Sequence, residues 1–186
     1  MTFMRIASKT IAACALSVWA LAGFSHVVLD EPVALAGASY KAALRIGHGC
    51  NGSPTTAIMV KLPAGFQGAK PQPKPGWVLS VKREPLAQPY SSYGKPITED
   101  VSEVSWTAAS RDSWLPDAYF DEFVLRGGLP KDARPLWFKV LQTCENGHND
   151  WSQIPAEGTS TQGLKSPAAL LELIPSGPSG QAGHQH

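Results

Sequence analysis

Neither sign of charge dominates this chain. Its 16 Lys and Arg stand against 15 Asp and Glu, a formal net charge of +1, so the basic footprint that a nucleic-acid partner requires is missing. Catalytic signatures are missing as well. No Gly-rich phosphate loop, G-x-S-x-G elbow or H-E-x-x-H pair occurs, and the acids are scattered over predicted strands and turns. No window past residue 26 keeps a helical period, which disfavours α/β arrangements. Cysteine is scarce at three residues and histidine at five, so each of these is informative. What is plentiful is punctuation, with 17 Gly and 16 Pro, and apolar mass, 43% of 186 residues. That suffices for one well-buried core and is too little for two large domains.

Residues 1–25 have the form of a secretory signal. Arg5 and Lys9 make a positive n-region, and residues 11–24 are almost wholly apolar. The run is short for a membrane span, and no basic stop-transfer flank follows it as a retained anchor would have. No membrane span is therefore expected after cleavage. Losing Arg5 and Lys9 with no acid leaves a nearly neutral mature domain over 26–175. Two cleavage sites satisfy the small-x-small rule. Ala20-Leu21-Ala22 would leave Gly23 first, and Gly23-Phe24-Ser25 would leave His26 first.

Past His26 the apolar residues alternate. Tyr40, Ala42, Leu44 and Ile46 interleave with Lys41, Ala43 and Arg45, the period of a half-buried strand. Similar segments are expected at 57–62, 77–83, 101–107, 120–126, 136–143 and 170–174. Turns are expected at Gly49-Cys50-Asn51-Gly52-Ser53-Pro54, Pro63-Ala64-Gly65, Gly127-Gly128-Leu129-Pro130 and Glu145-Asn146-Gly147. Lys70-Pro71-Gln72-Pro73-Lys74-Pro75-Gly76 reads as an extended loop over a sheet edge, because each proline removes a ladder donor. Residues 176–186 have nothing to bury and read as a disordered tail. The expected fold is an all-β sandwich with little helix.

Cys14 falls in the leader, which leaves Cys50 and Cys144 as an even pair. In an oxidising compartment a disulfide is their expected state, closing a loop of about 95 residues worth about 4 to 5 kcal/mol in the chain-entropy model. A two-thiolate metal site is the competing reading. Three histidines lie where a metal could gather them. His26, as a first residue, could chelate one ion through its α-amine and its imidazole Nδ1. A free α-amine has a pKa of about 7.7 to 8.0 and gives up its proton at modest cost. Nitrogen donors in a planar array suit Cu(II), which also heads the divalent affinity order. His48 precedes Cys50 by two residues, while His148 and Trp151 follow Cys144 by four and seven, so one bridge would bring all three into one neighbourhood. Each has an ordinary reading too: His48 a solvated loop residue, His148 an exposed turn residue, Trp151 a core aromatic, and His184 and His186 merely tail.

At these residues the chain resembles the YcnI-like copper-binding domain family. The matching features are His26-Val27-Val28-Leu29 directly after a signal, Gly49-Cys50-Asn51-Gly52-Ser53-Pro54-Thr55-Thr56, Leu62-Pro63-Ala64-Gly65-Phe66, Lys74-Pro75-Gly76-Trp77, Asp121-Glu122-Phe123 and Trp151-Ser152-Gln153-Ile154-Pro155. In order, they span nearly the whole mature domain. The resemblance implies an immunoglobulin-like or fibronectin-like sandwich that binds one Cu(II) through a histidine brace at His26, which favours cleavage after Ser25. It also implies a tryptophan beside the copper, here Trp151. Some relatives add a glutamate on the second-strand loop. Here that loop reads Gly47-His48-Gly49, and His48 is inferred to supply the missing ligand.

Three functions follow as expectations. The first is a non-catalytic copper binder, periplasmic or extracellular, serving storage, delivery or homeostasis with a copper transporter or metallochaperone as partner. The second is a copper-dependent oxidative enzyme using the same brace, which needs an open coordination position that a tryptophan against the metal would crowd. The third is a structural sandwich with no metal.

Overall fold

The computed structural model describes residues 26–177; the leader, its cleavage sites, His184 and His186 lie outside the described residues. Among the described residues eleven strands form two sheets. They are β1 (Val28–Leu29), β2 (Val33–Leu35), β3 (Ser39–Ile46), β4 (Thr55–Lys61), β5 (Gln67–Pro71), β6 (Trp77–Ser92), β7 (Lys95–Ala108), β8 (Asp121–Gly128), β9 (Leu136–Cys144), β10 (His148–Trp151) and β11 (Ala169–Ile174). A 3-10 turn at Arg111–Ser113 is the sole helical element among the described residues. The smaller sheet has the order β1-β3-β8-β5, and the larger runs β2-β11-β9-β4-β7-β6 with β10 also paired to β9. All pairs are antiparallel except β2 with β11.

The alternation dictates the packing. Tyr40, Ala42, Leu44 and Ile46 of β3 turn inward with Phe123 and Leu125 of β8, and meet Ile58, Val60, Val104, Trp106, Phe138 and Val140 of the larger sheet. Phe123 is the hinge of the two layers: its ring lies edge-on to Trp77 at 5.1 Å and to Trp106 at 5.6 Å. The buried Trp106 indole donates to the carbonyl of Gln72 at 2.9 Å, which satisfies its polar end and fastens the proline-rich loop across the sandwich edge.

The structure corrects the sequence expectations in four places. Lys70 and Pro71 belong to edge strand β5 rather than to a loop. The amide of Gln72 bonds back to Val124 at 2.8 Å, so the alternate Pro71 nitrogen points to the open side, where no ladder donor is needed. Gly127 and Gly128, expected in a turn, continue β8; a Cβ on Gly127 would come within 2.5 Å of the Phe66 ring, so glycine here admits a packed ring, not a bend. The third correction is at 84–100. β6 and β7 run on as a long hairpin, closed by Tyr93 and Gly94 at φ 49° and 74°, the two positive values a type I′ turn demands. Fourth, His148 opens strand β10 and does not sit in the preceding turn. At the far end Ser176, read as the first tail residue, still donates its hydroxyl to the carbonyl of Ala36 at 2.5 Å.

Asp100 ties that hairpin to the smaller sheet. Its buried carboxylate accepts the amide of Gly68 (2.7 Å), the hydroxyl of Tyr90 (2.7 Å) and the amide of Val101 (2.8 Å). Desolvation first, then the hydrogen bond to Asp100 and its charge, push the Tyr90 phenol from 10.0 up to about 12. A phenol held protonated by the fold contributes its full stability below the unfolded value and loses it as pH climbs through the folded one. Urea unfolding should therefore show wild type losing stability relative to Tyr90→Phe as pH rises from about 10 to about 12, with a constant difference below pH 9. A difference that does not change across the upper window would refute the clamp.

Candidate metal centre

Strand pairing brings the two candidate histidines to one corner. β1 pairs with β3 through Val28 opposite Arg45 and Leu29 opposite Leu44. Carried back two residues, that register sets His26 level with Gly47 and one step from His48. Val27 and Leu29 are buried while Val28 is exposed, so the core anchors β1 by alternate residues. From the other sheet, Trp151 ends β10 at 5% exposure. The His26 ring stands 5.8 Å from the Trp151 ring and the His48 ring 6.3 Å from it, both edge-on at 61° and 80°. Two imidazoles thus converge on one indole.

The loop bearing His48 is held from several directions. Cys50 is bonded to Cys144 with Cα atoms 6.0 Å apart across 94 residues of sequence, as the sequence leads one to expect. Asn51 and Gly52, at φ 51° and 83°, make the tight turn that lets Cys50 and Ser53 exchange backbone bonds at 3.0 Å. Gly49 is required because any Cβ would lie 1.9 Å from the Ser53 carbonyl oxygen, and its amide donates to Asp117 at 2.9 Å. His48 Nδ1 lies 2.5 Å from the Gly49 carbonyl. A carbonyl only accepts, so Nδ1 is the donor in this contact and Nε2 is the ring nitrogen left to face other partners. Behind the loop the Gln142 amide reaches the carbonyl of His48 at 2.6 Å and accepts the Trp151 indole N–H at 3.1 Å.

His148 is not brought into this group. It lies opposite Thr143, three residues from Trp151 on one strand, so it projects from the other face; it is exposed while Trp151 is buried. Among the described residues no three His, Cys, Asp or Glu side chains gather as a metal-binding set. An ion at this corner would therefore meet two imidazoles and need a further donor of another kind. His26 also borders a cleft of about 190 Å³ whose other walls include Val28, Pro32, Thr159, Thr161 and Pro167. Sequence reading missed Gln142 and Asp117. Gln142 had a signal: it occupies an inward position of the series Leu136, Phe138, Val140, Gln142, Cys144, and a polar side chain facing inward must find partners.

Comparison with known proteins adds the family. The family described as a domain of unknown function, DUF1775, matches residues 26–173. The chain belongs to the DUF1775 family. A solved structure of an uncharacterized protein from Nocardia farcinica, described as having an immunoglobulin-like fold, is similar to it at 27% identity and a TM-score of 0.61, covering 80% of this chain and 97% of that one. No curated protein sequence matches. The DUF1775 match begins at His26. The YcnI-like resemblance holds at the level of the family and of the immunoglobulin-like fold.

The disulfide gives this DUF1775 domain its next prediction. Cys50→Ser with Cys144→Ser should lower unfolding free energy by about 2 to 5 kcal/mol, the usual cost of losing a native bridge. Urea titration measures it; a change under about 1 kcal/mol would show that the backbone turn holds the His48 loop unaided.

Proposed function

We propose that the protein is an exported, non-catalytic Cu(II) binder of the periplasm or cell exterior, which holds one copper at the His26 corner for storage, delivery or homeostasis. Copper is bound by a brace made of the α-amine and Nδ1 of His26 as the first mature residue, with Nε2 of His48 as a third nitrogen and Trp151 as a wall. The observation carrying this reading is the convergence of both imidazoles on the Trp151 indole, at 5.8 and 6.3 Å.

Backbone direction supports it. The amide of Asp30 donates toward β3, to Ala43 at 3.0 Å, and amides two residues apart in a strand point the same way. Carried to residue 26, that period aims the His26 nitrogen toward the loop of His48. The donor set supports it too, since three nitrogens with no thiolate and no clustered acid suit Cu(II) better than a hard cation or a structural zinc. Trp151, being buried, closes one approach to the ion, and this favours a carrier over the oxidative enzyme. The cleft beside His26 favours the enzyme in one respect, being a place where a second molecule could approach; at about 190 Å³ it is small against the broad platform a polysaccharide needs. A copper transporter or metallochaperone is the fitting partner.

Mass spectrometry of the exported protein should find His26 first. Titration of that form with Cu(II) should give one equivalent bound, with nitrogen hyperfine splitting in the electron paramagnetic resonance spectrum. His26→Ala should cost at least the 10- to 100-fold in affinity, roughly, that even an outer-shell change costs. His48→Ala should weaken binding less and alter the spectrum, and His148→Ala should change neither. A mature N-terminus at Gly23 would remove the brace, and sustained copper-dependent oxidation of a polysaccharide would favour the enzyme.

A further inference from the structure

We infer that Gln142 is a positioning residue: one buried amide that holds the His48 backbone and the Trp151 indole as a single unit and so sets the arrangement of donors at the His26 corner. A primary amide has two acceptor sites on oxygen and two N–H donors. At 1% exposure, Gln142 uses all four. Its Oε1 accepts from Trp151 Nε1 and from Asn149 Nδ2, each at 3.1 Å. Its Nε2 donates to the His48 carbonyl at 2.6 Å and to Thr55 Oγ1 at 2.8 Å. The partners also fix which end of the amide is which, because a backbone carbonyl only accepts and an indole N–H only donates.

The strand pattern alone does not call for glutamine here. The inward positions before it on β9 carry Leu136, Phe138 and Val140, and an apolar residue would fill this one too, at the cost of leaving the His48 carbonyl and the Trp151 indole N–H unpaired. What an apolar residue could not do is fix two outside groups relative to each other. The His48 carbonyl fixes the position of the 47–49 loop, whose ring nitrogen Nδ1 is already engaged by Gly49. The indole N–H fixes the rotation of the ring that both imidazoles meet. A shift of this amide would move the third nitrogen and the wall of the site together.

The inference rests on the copper reading for one measurement and is independent of it for another. Gln142→Leu removes all four bonds. Gln142→Glu keeps acceptors for Trp151 and Asn149 while setting a carboxylate against the His48 carbonyl, and serves if the leucine variant does not fold. Thr55→Val is the control, because it removes a buried bond to the same amide that leads to neither site group. With Cu(II) as probe, the Gln142 variants should bind about 10- to 100-fold more weakly and shift the nitrogen hyperfine pattern, while Thr55→Val, which keeps the bonds to His48 and Trp151, changes both far less. In the metal-free protein, the same variants should move the Trp151 indole N–H and His48 ring resonances by NMR, and Thr55→Val should not. If wild type starting at His26 shows no nitrogen-split Cu(II) spectrum, the copper reading falls and the metal-free comparison decides Gln142. Resonances that move equally in all variants, or in none, would make Gln142 an ordinary core residue and overturn the inference.

Discussion

A covalent bond between Cys50 and Cys144 fastens the loop leaving the smaller sheet to the last residue of β9 in the larger one, and apart from His26 itself, which β1 brings in, the His26 corner is built within a few residues of that knot. His48 lies two residues before one cysteine and Gln142 two before the other. β10, which carries Trp151, begins four residues after Cys144. Without the bond, these groups would depend for their meeting on the β4–β9–β10 ladder, the Gly49–Asp117 bond, a backbone turn and one glutamine. With it, the loop-closure cost is met in the unfolded chain, and the weaker contacts only have to refine positions already near correct.

Those weaker contacts are polar and buried, which makes them selective. Gln142 and Asp100 are both nearly inaccessible, and each gathers segments from distant parts of the chain: Gln142 the His48 loop and β10, Asp100 the edge strand β5 and the hairpin arm. A satisfied group of this kind adds little net stability, yet leaving it unsatisfied is costly. It therefore penalises displaced arrangements more than it rewards the native one. The apolar core, in contrast, is non-directional: burial of Phe123 against Trp77 and Trp106 rewards contact more than one particular orientation. Core contacts bring the sheets together, and buried amides and carboxylates decide where the loops come to rest.

That division explains what could be read from the chain beforehand. The alternation of Tyr40, Ala42, Leu44 and Ile46 and its counterparts made the strands of the sandwich legible, because burial of one face is a local, periodic signal. The disulfide was legible from cysteine number. His26, His48 and Trp151 were legible as candidates because such residues are few or flank the cysteines, while His148, equally close in sequence, faces away since one residue of strand parity reverses a side chain. The hairpin arm was obscured by Pro85 and Pro89, which interrupt its ladder where the register shifts. β1, β2 and β10 are too short to carry a period. Gln142 could not be ranked from sequence, since its importance lies in partners 94, 87 and 9 residues away.

The corner also accounts for why a metal here would involve a chain terminus. Among the described residues the side chains supply two imidazoles and no set of three His, Cys, Asp or Glu, too few donors for a tight structural site, which takes about four. Inward positions of β10 and β8 are filled by Trp151, Phe123 and Leu125. A backbone nitrogen needs no such space. β1 is the edge of its sheet, and residue 26 stands at the outer end of it, ahead of the paired Val28 and Leu29. A donor made by cleavage would exist only in the exported form, and the copper affinity proposed for this domain would then be absent from the precursor.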